Sequence, residues 1–125
     1  MATLTGQIKL DISGVTSDPI SVDVSMTKAC LSGGITSRSI NTTATSGEKV
    51  VEKDEYSLGD MIYLRNRQAK GATEIITIRL GAATAGEIRL EGGQFAIFPW
   101  VKGEDILAYT NSGAPILEIG TFASA

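Results

Sequence analysis

The sequence predicts an all-β protein, an antiparallel β-sandwich or barrel of jelly-roll or Greek-key type with roughly eight to ten short strands and little or no helix. Three observations carry this. Short runs alternate apolar with polar residues at a period of two. Gly, Asn and Pro cut these runs apart at strand-sized intervals. Nowhere do apolar residues recur at i, i+3, i+4 and i+7 for longer than a single helical turn would need.

Taken in order, Ile8, Leu10 and Ile12 alternate with Gln7, Lys9 and Asp11, and Ile20, Val22, Val24 and Met26 alternate with Ser21, Asp23 and Ser25. Such alternation places one face on a core and the other in water, so both runs are predicted to be half-buried strands. Asp18-Pro19 ends the segment between them, because Pro lacks a ladder donor and biases its predecessor towards extended backbone. Gly33-Gly34 reads as a turn pair, Ile35 to Thr45 as one polar strand or extended loop, and Glu48 to Lys53 as a further short strand.

The second half supplies six strand-sized runs: Asp60 to Arg65, Thr73 to Leu80, Glu87 to Leu90, Gln94 to Phe98, Asp105 to Tyr109 and Pro115 to Ile119. Leu90 to Gln94 reads as a hairpin turn whose glycines supply positive φ. Thr110 to Ala114 reads as a second, joining the strand that ends at Tyr109 to the one that begins near Pro115. Gly81 to Gly86 reads as a flexible connection. All seven aromatic residues lie within 56–122. Aromatic rings carry the largest buried areas, so this half is expected to anchor the core and the first half to wrap it.

Length and composition bound the function. With 125 residues, 42% of them hydrophobic, residues 1–125 form one domain with enough apolar material to fold without a disulfide or metal. The net charge of −3 gives no footprint for nucleic acid. Arg65, Arg67 and Lys70 form the one dense basic stretch and read as solvent-facing. No apolar run reaches the ~20 residues that span a bilayer, and Met1 to Gly6 lacks a secretory pattern. Asn41-Thr42-Thr43 therefore reads as a chance match to a glycosylation site.

Chemistry is sparse. The chain has no His, which rules out Ser-His-Asp and Cys-His arrangements and removes the commonest metal ligand. Cys30 reads as a small, partly buried side chain, since no His is present to activate it. Glu52 to Glu55 and Glu104-Asp105 lack EF-hand spacing and read as turn charges. A two-carboxylate hydrolase using Glu104 or Asp105 is the enzyme reading left, with too few aromatic residues for a sugar platform. No catalytic, metal or cofactor site is predicted. Phe98-Pro99-Trp100 reads either as the end of a core strand or as an exposed aromatic anchor for a partner.

From Ser57 to Asn66, Ile75 to Leu80 and Ile88 to Trp100, and on through Asp105 to Phe122, the order of strands and turns resembles small β-structured virion proteins of tailed bacteriophages. The likeness runs from Tyr56 onward, about half the chain, and consists of turn and strand punctuation. It implies a non-enzymatic capsid decoration, or cement, protein that binds the phage major capsid protein on the outside of the head. Such a protein is made in the host bacterial cytoplasm and carried in the virion, without nucleic acid or membrane as partner. A lattice of equivalent sites favours a homodimer or homotrimer. Residues 1–6 are expected to act as an extended N-terminal arm, with Ala2, Thr3, Leu4, Thr5 and Gly6 added as a strand to a partner and Phe98 and Trp100 as anchors. The alternatives are a neck or tail component, or a tail receptor- or carbohydrate-binding module with Tyr109 or Trp100 as its shelf.

Overall fold

A computed structural model describes residues 2–12, 20–52, 60–81, 86–100 and 104–124. They form nine strands and no helix: β1 (Ala2–Ile12), β2 (Ile20–Ser39), β3 (Glu48–Val51), β4 (Asp60–Asn66), β5 (Ile76–Leu80), β6 (Glu87–Leu90), β7 (Phe95–Trp100), β8 (Ile106–Thr110) and β9 (Ile116–Ser124). A five-stranded sheet has the order β1-β2-β9-β4-β7 and a four-stranded sheet the order β3-β8-β5-β6, with every pairing antiparallel.

Alternation decides which side chains meet between the sheets. Ile62 and Leu64 of β4 and Leu117 and Ile119 of β9 are buried from one sheet; Val51, Ile76, Ile78, Leu90, Ile106 and Ala108 are buried from the other, and all join one cluster with Ile40. Burying each aliphatic side chain of this kind is worth roughly 1.5–3 kcal/mol, so this two-layer contact is what holds the sandwich together.

The connections alternate between sheets. Apart from the β1-β2 and β5-β6 hairpins, each step from one strand to the next crosses from one sheet to the other. The resulting orders, β2-β9-β4-β7 facing β3-β8-β5-β6, are those of a jelly roll, with β1 added at an outer edge. The all-β sandwich expected from the sequence is therefore the architecture found.

Several local expectations are corrected. The Leu90–Gln94 and Thr110–Ala114 turns are not hairpins: β6 and β8 lie in the four-stranded sheet, β7 and β9 in the other. Gly93 (φ 83°) and Gly113 (φ 66°) do make reversals, but turn chemistry does not say which sheet the chain enters next. Gly33 and Gly34 lie inside β2, with the Phe122 ring across Gly33 where a side chain would stand. Thr73–Ile75 precedes β5 instead of joining it, and β9 runs on to Ser124. Lys53 lies outside the described residues, as does the middle of the Gly81–Gly86 connection, 82–85.

The core is aliphatic, not aromatic. Phe98 and Trp100 pack at its margin, Tyr63 and Phe122 are half-buried, and Phe95 is exposed. Branched aliphatic side chains fill the space between the layers, with Phe98 and Trp100 packed against them from its margin.

The turn at Gly92 packs on the segment that follows β4. A methyl group at Gly92 would collide with the Ala69 carbonyl oxygen, and backbone cannot swing aside as a side-chain end can. Gly92→Ala is accordingly expected to cost about 1–3 kcal/mol, read as a lowered urea midpoint with unchanged slope.

Candidate functional site

The outstanding feature lies outside the core. Cys30–Ser39 of β2 pairs with β9, but the preceding Ile20–Ala29 pairs with β1 alone among the described residues. β1 and the first half of β2 thus leave the sheet as a two-stranded ribbon. With 11 residues in β1, at about 3.4 Å per residue, it is roughly 35 Å long.

Register sorts the ribbon into two faces. Thr5, Gln7, Lys9 and Asp11 stand opposite Thr27, Ser25, Asp23 and Ser21 on a polar face. Gln7 Nε2 donates to Asp23 Oδ1 (2.9 Å) and Ser21 Oγ to Asp11 Oδ1 (2.8 Å), which pins the register at two points. On the other face Gly6, Ile8 and Leu10 stand opposite Met26, Val24 and Val22. This apolar face is not covered: Leu10 is 55% exposed, Val24 53%, Met26 39% and Val22 38%. The alternation expected to mark two half-buried strands is present, but its apolar side does not meet the domain core.

The apolar face instead looks across a gap at the outer face of the five-stranded sheet. Register aligns Ile35, Gly120, Tyr63 and Ile97 in one row across β2, β9, β4 and β7, with Phe95 in the next row beside Arg65. Gly6, Ile8, Val24 and Met26 of the ribbon and Tyr63, Phe95 and Ile97 of the sheet enclose a groove of about 450 Å³. Ile35 (58% exposed) and Phe95 (57%) extend the apolar surface beyond it. A Cβ at Gly120 would stand 3.1 Å from both Tyr63 and Phe122, so the bare backbone there lets the two rings lie against the sheet.

Tyr63 is the polar residue on the sheet side of the groove, with Gln7 and Ser25 lining it from the ribbon. Its hydroxyl donates to Glu118 Oε1 (2.8 Å), while Glu118 Oε2 accepts from Arg67 Nη1 (3.2 Å). Burial, and then the hydrogen bond to the Glu118 carboxylate, raise the Tyr63 pKa above its usual 10.0. A raised folded-state value means that the folded chain holds this proton more tightly than the unfolded one. The associated stability is complete below about pH 10 and is lost as pH rises through the folded value. Thermal melts between neutral pH and pH 11 should show this loss, reduced in Tyr63→Phe; identical alkaline slopes for the two proteins would refute it.

The residues singled out in the sequence do not converge. Ala2, Thr3, Leu4, Thr5 and Gly6 pair with Cys30 to Met26, so they are the root of the ribbon and not a loose arm; the projecting part is the far end, with Leu10 and Val22. Phe98 and Trp100 pack against the core from the inner side of β7, rings 5.9 Å apart and near perpendicular, and Trp100 Nε1 donates to the Glu104 carbonyl (3.1 Å). Lys49 stands 3.5 Å from Asp105, and the Tyr109 hydroxyl donates to Glu87 (3.2 Å). Cys30 is buried and its thiol donates to the Lys28 carbonyl (3.5 Å). Lys53 to Glu55 lie outside the described residues. Among the described residues, no three His, Cys, Asp or Glu side chains are grouped to hold a metal ion, and no helix is long and apolar enough to cross a membrane.

The arrangement is suited to adhesion: a preformed, mainly apolar groove between the ribbon and the outer face of the five-stranded sheet. Comparison of the chain with family models, curated proteins and solved structures gives no match.

Proposed function

We propose that this chain is a non-enzymatic virion structural protein that decorates the outside of a phage head by binding its major capsid protein and stabilises the shell. The observation that carries this reading is the ribbon, a two-stranded arm that continues beyond a closed sandwich and leaves its apolar face uncovered within one chain. Monomeric soluble proteins seldom expose a contiguous apolar surface without a partner for it. The jelly-roll strand order adds support by analogy, since that order recurs in viral capsid domains, as it does in lectins. A net charge of −3 suits a partner that is protein and not nucleic acid.

Quantitative mass spectrometry of purified particles tests the reading. One copy per shell subunit, or a simple fraction of that, is expected. A handful of copies per particle would place the chain at the neck or tail, and its absence from particles would overturn the virion reading.

A further inference from the structure

We infer that the groove is occupied by a second copy of this chain, with Leu10 and Val22, a cross-strand pair in the outer half of each ribbon, lying against the groove of the other copy. Four observations point to a copy of itself. The chain carries both halves of such a contact: an apolar ribbon face, and an apolar sheet face formed by Ile35, Tyr63, Phe95 and Ile97. A reciprocal exchange satisfies both at once, as an isologous interface requires.

The area agrees. A compact monomer of 13.1 kDa is expected to expose roughly 6,400 Å². This chain exposes 7471 Å², an excess of about 1,100 Å², and a standard stable interface takes roughly 800 Å² from each partner.

The ribbon also needs a third layer. A two-stranded ribbon is marginally stable alone in water, and most of this one lies beyond the strands that could support it. β1 further presents an outer edge of 11 residues with no strand beside it among the described residues, long for an edge left open. A small apolar ligand would fill the groove but leave Leu10, Val22 and Ile35 uncovered, because none of these three lines it.

Sedimentation of the purified full chain across a wide concentration range tests the inference with no shell protein present. A mass of twice 13.1 kDa is expected, and Val24→Glu should weaken association by ~100-fold while circular dichroism, and melting measured where both proteins are dissociated, stay unchanged. Wild-type chain that is monomeric throughout, or Val24→Glu that associates normally, would overturn it. Mixing a Leu10→Cys chain with a Phe95→Cys chain under oxidising conditions should cross-link one to the other. Cross-links confined to Leu10→Cys pairs would overturn the groove as the receiving site. A monomer that still decorates particles would leave the capsid reading standing and remove this one.

Discussion

Asn66→Asp is expected to lower folding stability by about 3–5 kcal/mol at neutral pH, a loss on the scale of breaking a buried ion pair. Asn66 is fully buried at the end of β4. Its Nδ2 donates to the carbonyls of Leu90 (3.0 Å) and Glu74 (3.2 Å), and its Oδ1 accepts from the Gln68 amide (3.0 Å). Its own amide donates to the Gln94 carbonyl and its carbonyl accepts from Gly93. One side chain thus ties the segment after β4, the approach to β5 and the end of β6 at one end of the sandwich. Aspartate has nearly the same shape, but its carboxylate turns an acceptor towards two carbonyl oxygens and brings a charge into a fully buried site. Protonation restores one donor, so the introduced carboxyl would titrate above the usual value of about 3.9. The sign follows: the variant is least impaired below that value and loses stability as pH rises through the raised one. Urea unfolding at acid and neutral pH measures both effects. A loss below about 1 kcal/mol, or one independent of pH, would show that Asn66 does not act as this tie.

Much of the body was legible in the sequence because period-two alternation and Gly or Pro punctuation act locally. Glu87–Leu90 is a strand as read, and β4, β7 and β8 fall within two residues of the runs that announced them. Sheet membership was not legible. The Gly-containing turns after Leu90 and Thr110 look like hairpin turns because the same positive-φ residues serve a reversal within a sheet and a crossing between sheets. Which strand lies beside which is decided by the nested closure of the whole jelly roll.

The groove was half legible. Ile8, Leu10, Val22 and Val24 stood out as an apolar face, but alternation reports only that a face is apolar and is silent on what covers it. The missing information was length, because β2 has 20 residues while β9, its neighbour on the body, has 9. That mismatch, visible only once the pairing is known, leaves half of β2 outside the sandwich. Phe95 and Ile35 gave a weaker signal still, since one aromatic residue among aliphatic neighbours, or one Ile among hydroxyl residues, is as compatible with a core as with an outer face.

The separation of core from ribbon leads to an expectation about where stability resides. Ile62→Ala should destabilise the chain by about 2–5 kcal/mol, from the lost burial together with the cavity that a rigid two-layer interior cannot close. Ile62 is fully buried, lies between β9 and β7 and stands in register with Thr121 and Phe98. Among the side chains whose burial is described, none of β1 or of Ile20–Ala29 belongs to the buried cluster. Leu10→Ser, Val22→Ser and Val24→Ser should therefore each change the unfolding free energy of the dissociated chain by no more than about 0.5 kcal/mol, as for exposed sites. Adhesion should respond in the opposite order, with association kept in folded Ile62→Ala and lost in the combined ribbon variant. Chemical denaturation of both proteins under dissociating conditions, followed by sedimentation where both are folded, reads the two effects separately. A ribbon variant that unfolds as readily as Ile62→Ala would mean that the ribbon packs into the cooperative unit. Its apolar face would then be part of the body's own stability and not a surface held open for a partner.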